Sequence, residues 1–198
     1  MSYKSLLIVA LLSATPALAQ ETVRVRGTVE RIDGSTYFVK TRGGDDLKLM
    51  LAEKTLFVAV VKASLADLKP GMFVGSGARP QPDGSQRAIE VHIFPESMRG
   101  TGEGHRPWDA VPESTMTNAN VEAAIGGVDG QVLTMKYPGG EKKLIVTPET
   151  PVVRYDTVAN AGEVKAGSSV NLVATRQPDG TLTIQRVTYG RDGLALPM

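Results

Sequence analysis

The sequence predicts an all-β protein: two tandem five-stranded OB-like small barrels joined by a long ordered linker, following a cleaved signal peptide. Three observations predict it. An ordered set of residues recurs 96 positions on, from Asp33-Gly34 to Asp129-Gly130 and from Gln81-Pro82-Asp83-Gly84 to Gln177-Pro178-Asp179-Gly180. Apolar and charged residues alternate with the period of two that marks a half-buried strand. Turn dipeptides punctuate the chain at short intervals.

The elements of the first copy follow in order. Val23, Val25 and Val29 alternate with Arg24, Arg26 and Glu30, which predicts a strand with one wet face. Asp33-Gly34 turns the chain into Tyr37-Phe38-Val39, and Gly43-Gly44 turns it again into a third strand over Leu47–Leu51. Ser64-Leu65-Ala66-Asp67-Leu68 reads as a short helical turn with Ser64 as N-cap, closed by Pro70-Gly71. Met72–Ala78 is the fourth strand, and Pro82-Asp83-Gly84 leads to the fifth, Ala88–Phe94.

The second copy repeats this programme. Leu144-Ile145-Val146 with Thr150 echoes Leu49-Met50-Leu51 with Thr55, and Ala166-Gly167 echoes Pro70-Gly71. Its last strand changes phase between Ile184 and Val187, which predicts a β-bulge. Five strands with a helical turn between the third and fourth is the OB order. Each copy, about seventy residues, is long enough to be expected to fold by itself. The expected divisions are 1–19 signal peptide, 20–94 first barrel, 95–120 linker, and 121–198 second barrel with a C-terminal tail.

The first residues carry Lys4, an apolar run from Leu6 to Leu12, and Ala17-Leu18-Ala19, the small-x-small pattern of a signal-peptidase site. Cleavage after Ala19 would deliver a chain starting at Gln20 to the periplasm. No later stretch is apolar for long enough to form a membrane helix. There are no cysteines, so disulfides and thiolate chemistry are excluded. Without Lys4 the 21 remaining basic residues balance the 21 acidic ones, which argues against nucleic acid and against a polybasic membrane contact.

The Asp-Gly turn, the Gly-Gly turn, Leu65-x-x-Leu68-Lys69-Pro70-Gly71 and Pro82-Asp83-Gly84 together resemble exported bacterial proteins of the "domain of unknown function 5666" group. The resemblance spans both copies. It departs at Val164-Lys165-Ala166-Gly167, where the leucine pair is missing. It implies a fold and carries almost nothing about activity. Residues 92–109, HIFPESMRGTGEGHRPWD, also resemble proteins labelled metal transporter permeases. A permease needs several apolar spans, and none follows the signal segment.

Between the copies, Pro95 to Asn120 is rich in glycine and proline and reads as a loop or wrap. Trp108, the single tryptophan, is expected to anchor it in the groove between barrels. On the fifth strand Glu90 and His92 share the face opposite Val91 and Ile93. With Glu96, Met98 and His105 they form a candidate set for zinc or copper, the thioether favouring copper(I). The second copy has Arg186 and Thr188 where the first has Glu90 and His92, so a barrel does not require those side chains.

Gly100-x-Gly102-x-Gly104 lies outside a strand-to-helix context, and no nucleophile elbow or catalytic triad is legible. The expectation is therefore a non-enzymatic periplasmic binding or adaptor module, without cofactor, for a protein or cell-envelope ligand. The alternative is a periplasmic zinc- or copper-binding protein.

Overall fold

The computed structural model describes residues 21–127 and 129–197; the expected signal segment and its expected cleavage point lie outside these. Strands dominate, and no helix among the described residues is long and apolar enough to cross a membrane. The order is β1 (Thr22–Asp33), β2 (Thr36–Thr41), β3 (Asp46–Ala63), a 3-10 turn (Leu65–Asp67), β4 (Phe73–Pro80) and β5 (Gln86–Ile93). A second 3-10 turn (Glu96–Met98), β6 (Gly104–Pro107), β7 (Thr115–Gly127), β8 (Gly130–Tyr137), β9 (Gly140–Val146) and β10 (Val152–Asp156) follow. A 3-10 turn (Ala161–Glu163), β11 (Ser169–Arg176) and β12 (Leu182–Gly190) complete the sheet.

Several local expectations are met. Ser64 and Asp67 bond reciprocally at the first 3-10 turn, the capping-box pattern that satisfies two free N–H groups. β12 shifts register between Ile184 and Arg186, so the phase change in the sequence is a bulge. The turn Leu65–Asp67 and the strands β4 and β5 stand 96 residues before Ala161–Glu163, β11 and β12 at their starting or central positions.

Strand pairing departs from the expected division at residue 94. β1 pairs with β2 and β2 with β3, as local hairpins should. The circuit is then closed by strands from the far end of the chain: β3 runs parallel to β12, β12 antiparallel to β11, and β11 antiparallel to β1. The complementary circuit joins β7, β8 and β9 to β5 and β4, with β5 parallel to β9 and β4 antiparallel to β7. Each five-stranded barrel thus takes three strands from one half of the chain and two from the other.

The reason lies in β3. The expected third strand ended at Leu51, but β3 continues without a turn to Ala63, 18 residues in all. Its first part pairs with β12 and its end with β10, so the chain leaves the first barrel and delivers β4 and β5 to the other one. β10 in turn lies parallel to β5, joining both circuits in one continuous sheet.

The cores obey the same exchange. In the first barrel Val25, Val29, Tyr37 and Leu49 pack with Val170, Leu172, Ile184 and Tyr189. In the second, Val74, Val91 and Ile93 pack with Val121, Leu133 and Leu144. Even the 3-10 turns cross over: Leu68 plugs the second barrel and Val164 the first. The rim of the first barrel is held by Arg191, whose Nε donates to Glu163 Oε2 at 2.7 Å and Nη1 to Asp156 Oδ2 at 2.6 Å.

The linker is also corrected. Within 95–120, β6 pairs with β7, and β7 begins at Thr115 rather than at 121. Strand structure is possible there because β4 offers β7 a free edge from Phe73 to Ala78.

Candidate functional site

Alternation along a strand puts apolar side chains inside a barrel and polar ones outside. Here the outer faces of two barrels adjoin, so several polar side chains that would be wet on a single barrel become partly or fully buried. From the first barrel come Arg24 and Arg26 of β1, Asn171 of β11, and Arg186 and Thr188 of β12. From the second come His92 of β5 and Met116 and Asn118 of β7. Together with Trp108 and Tyr155 they line a cavity of about 350 Å³.

The two halves contribute equivalent positions. Arg186 and Thr188 stand 96 residues beyond Glu90 and His92, and Asn171 stands 96 beyond Gly75. One barrel brings guanidinium groups and an amide to the cavity, and the other brings an amide and the His92 imidazole, which lies over Gly75. Gly75 and Gly77 are required because His92 and Trp108 lie directly on them: a methyl group at Gly75 would overlap His92 Nε2 and Asn118 Oδ1, and one at Gly77 would overlap the indole.

Glu90 is fully buried, 0 % exposed, behind this lining. Its Oε1 lies 3.3 Å from His92 Nδ1 and accepts from the Gly77 N–H at 3.3 Å. His92 also packs against Phe94, with centroids 4.9 Å apart, and against Tyr155 at 5.2 Å. Burial, and then the nearby Glu90 carboxylate, push the Tyr155 hydroxyl well above the usual phenol range.

Positive charge gathers opposite. Arg26 Nη2 donates to Asp109 Oδ1 at 2.8 Å, and this bond holds the Asp109 carboxyl below the usual range. Arg106 donates to the Gly102 carbonyl at 2.7 Å. Burial, and then repulsion from Arg24, lower the affinity of Arg106 for its proton, as expected where guanidinium groups crowd together. Of six buried side-chain polar atoms without a hydrogen-bond partner among the described residues, four belong to residues lining this cavity, Arg26 Nε, Arg186 Nε, Asn118 Oδ1 and Asn171 Oδ1, and a fifth, Glu90 Oε2, to the residue in contact with His92 of the lining. Buried polar atoms are nearly always paired, so such a concentration in one place marks a site.

The five metal candidates are divided by the fold. Glu90 and His92 are in contact, and Met98 lines the same cavity. Glu96 is exposed and ion-paired to Arg99 at 2.6 Å. His105 sits on β6, hydrogen-bonded to Thr117 Oγ1 at 2.8 Å and stacked on Tyr137. Among the described residues no group of three His, Asp or Glu side chains is placed to hold a metal ion.

The arginines were not singled out from sequence, because alternating charges on a strand read as a solvated face. Arg24-x-Arg26 and the exchange of Glu90 for Arg186 were the available signals.

Trp108 packs against Val60, Val153 and Leu196 and is half-buried. As the single tryptophan it reports this position alone. Its emission is expected to be blue-shifted and poorly quenched by iodide, and Gly77→Val should shift it to the red and raise quenching toward that of the unfolded chain. Unchanged emission in Gly77→Val would contradict the contact.

The chain matches no family model, and neither a curated protein nor a solved structure matches it.

Proposed function

We propose that this protein is a non-enzymatic binding module of the bacterial periplasm, exported by its N-terminal signal, that holds a small organic anion in the cavity between its barrels. The observation that carries this reading is the gathering of Arg24, Arg26, Arg106 and Arg186 around one partly open cavity, with the buried Nε atoms of Arg26 and Arg186 unpartnered among the described residues. Guanidinium groups bind carboxylate and phosphate by paired, charge-assisted hydrogen bonds. A cavity of about 350 Å³ lies within the range of small-molecule sites. The parallel pairing of β3 with β12 and of β5 with β9 supports reading each circuit as an OB-like barrel.

A zinc or copper site would draw on Glu90, His92 and Met98. The surrounding arginines would repel a dication, so the anion is favoured.

Calorimetric titration with citrate, succinate, benzoate and inorganic phosphate tests the proposal. At least one anion should bind, and Arg26→Ala and Arg186→Ala should each weaken it at least about tenfold, or 1.4 kcal/mol. At a hundredfold excess over its Kd, it should add about 2.7 kcal/mol of stability. Binding of zinc with no binding of any anion would overturn the proposal.

A further inference from the structure

We infer that the anion is a polyhydroxylated carboxylate, an acidic monosaccharide of the uronic-acid type. This rests on the anion reading above and adds the rest of the ligand to it. A carboxylate satisfies the arginines and nothing else; the cavity also presents acceptors that need donors from a ligand. Asn118 Nδ2 is committed to the Thr101 carbonyl at 2.9 Å, which fixes its amide so that Oδ1, unpartnered and buried, is the acceptor. Asn171 Oδ1 is buried and unpartnered in the same lining. His92 Nδ1 is turned to Glu90, so when it donates there Nε2 is the accepting nitrogen, lying over Gly75.

His92 Nε2 and Asn118 Oδ1 lie together over Gly75 on one barrel, and Asn171 Oδ1 comes from β11 of the other, so the ligand must offer donors on two sides rather than at one end. Several hydroxyl groups around a ring meet that need. An ammonium group does not, because the lining's one carboxylate, Asp109, is already paired to Arg26, and Glu90 stands behind His92 and Tyr155. The half-buried Trp108 ring adds a flat apolar wall suited to the C–H face of a sugar.

The experiment is calorimetric titration of the full mature chain with D-glucuronate, cyclohexanecarboxylate and D-glucose. D-glucuronate should bind at least tenfold more tightly than either of the others. Asn171→Leu should bring D-glucuronate down to the level of cyclohexanecarboxylate and leave the latter unchanged. Asn118→Leu should do the same, and a melting curve checks that it folds; Asn171, whose Oδ1 has no hydrogen-bond partner among the described residues, keeps the test decisive if it does not. Equal affinity for D-glucuronate and cyclohexanecarboxylate would overturn the sugar acid and leave the anion seat standing. So would binding of citrate with no binding of D-glucuronate. Equal affinity for D-glucose and D-glucuronate, or no binding by any of these compounds or by citrate, would overturn both.

Discussion

Expressed separately, residues 21–95 and 96–198 should each lack a cooperative melt, and an equimolar mixture should regain the circular dichroism and the melt of the whole chain. The exchange of strands dictates this. Alone, residues 21–95 hold β1, β2 and β3 without the β11 and β12 that close their barrel. Eight of the fourteen buried residues of that core, from Val164 to Tyr189, lie in the other half. Each buried aliphatic or aromatic side chain contributes about 1.5–3 kcal/mol, so the loss is on the order of 10 kcal/mol or more. That is comparable with the whole net stability of a domain. The second barrel loses Leu68, Val74, Ala78, Val91 and Ile93 in the same cut. Two halves that each melt cooperatively at the temperature of the intact protein would contradict the exchanged arrangement.

The second large effect is expected at the buried pair. His92→Leu should cost about 3 kcal/mol, because the fully buried Glu90 then loses its imidazole partner. For a chain of this size that corresponds to a fall in Tm of roughly 6–12 °C. Glu90→Met combined with His92→Leu should be less damaging than His92→Leu alone, since replacing both partners removes the stranded carboxylate together with its imidazole. Denaturant titration of the two single variants and the double variant measures this. A double variant as unstable as the sum of the singles would show that the two side chains do not act as a pair.

Much of the local structure was legible because it depends on neighbours in sequence. Alternation revealed β1, Asp33-Gly34 and Gly43-Gly44 revealed turns, Ser64 revealed its cap, and the broken phase at Ile184 revealed a bulge. Glu90 and His92 were placed on one face for the same reason, and Trp108 was read as an anchor from its apolar bulk. Partner choice was not legible. β4 and β11 carry the same pattern, as do β5 and β12, so nothing local says which copy each will join. The continuation of β3 was hidden by Ala52-Glu53-Lys54, which reads as the polar end of a strand; in the fold these residues fall at the register shift of the β3–β12 ladder, between Leu51 and Leu56, and the pairing resumes beyond them to Val60. The site was missed for a related reason. Arg26 and Arg186 look like ordinary solvent-facing charges until a second barrel half-covers them, Arg24 beside them stays exposed, and the difference between Glu90 and Arg186 looked like evidence of dispensability. The fold instead brings both positions to one cavity.

The chain has no cysteine, so an engineered pair reports strand pairing without background. Thr22 on β1 faces Thr175 on β11. In barrels closed within each half, Thr22 would instead face Arg79, the residue 96 positions before Thr175. Opposed residues on paired antiparallel strands lie within the distance a disulfide spans. Under mild oxidation, monomeric Thr22→Cys/Thr175→Cys should form an intrachain disulfide, seen by mass spectrometry of a non-reduced digest, while Thr22→Cys/Arg79→Cys should stay reduced. Rapid cross-linking of the second pair and none of the first would show that each half closes its own barrel, and the cavity between exchanged barrels would fall with it.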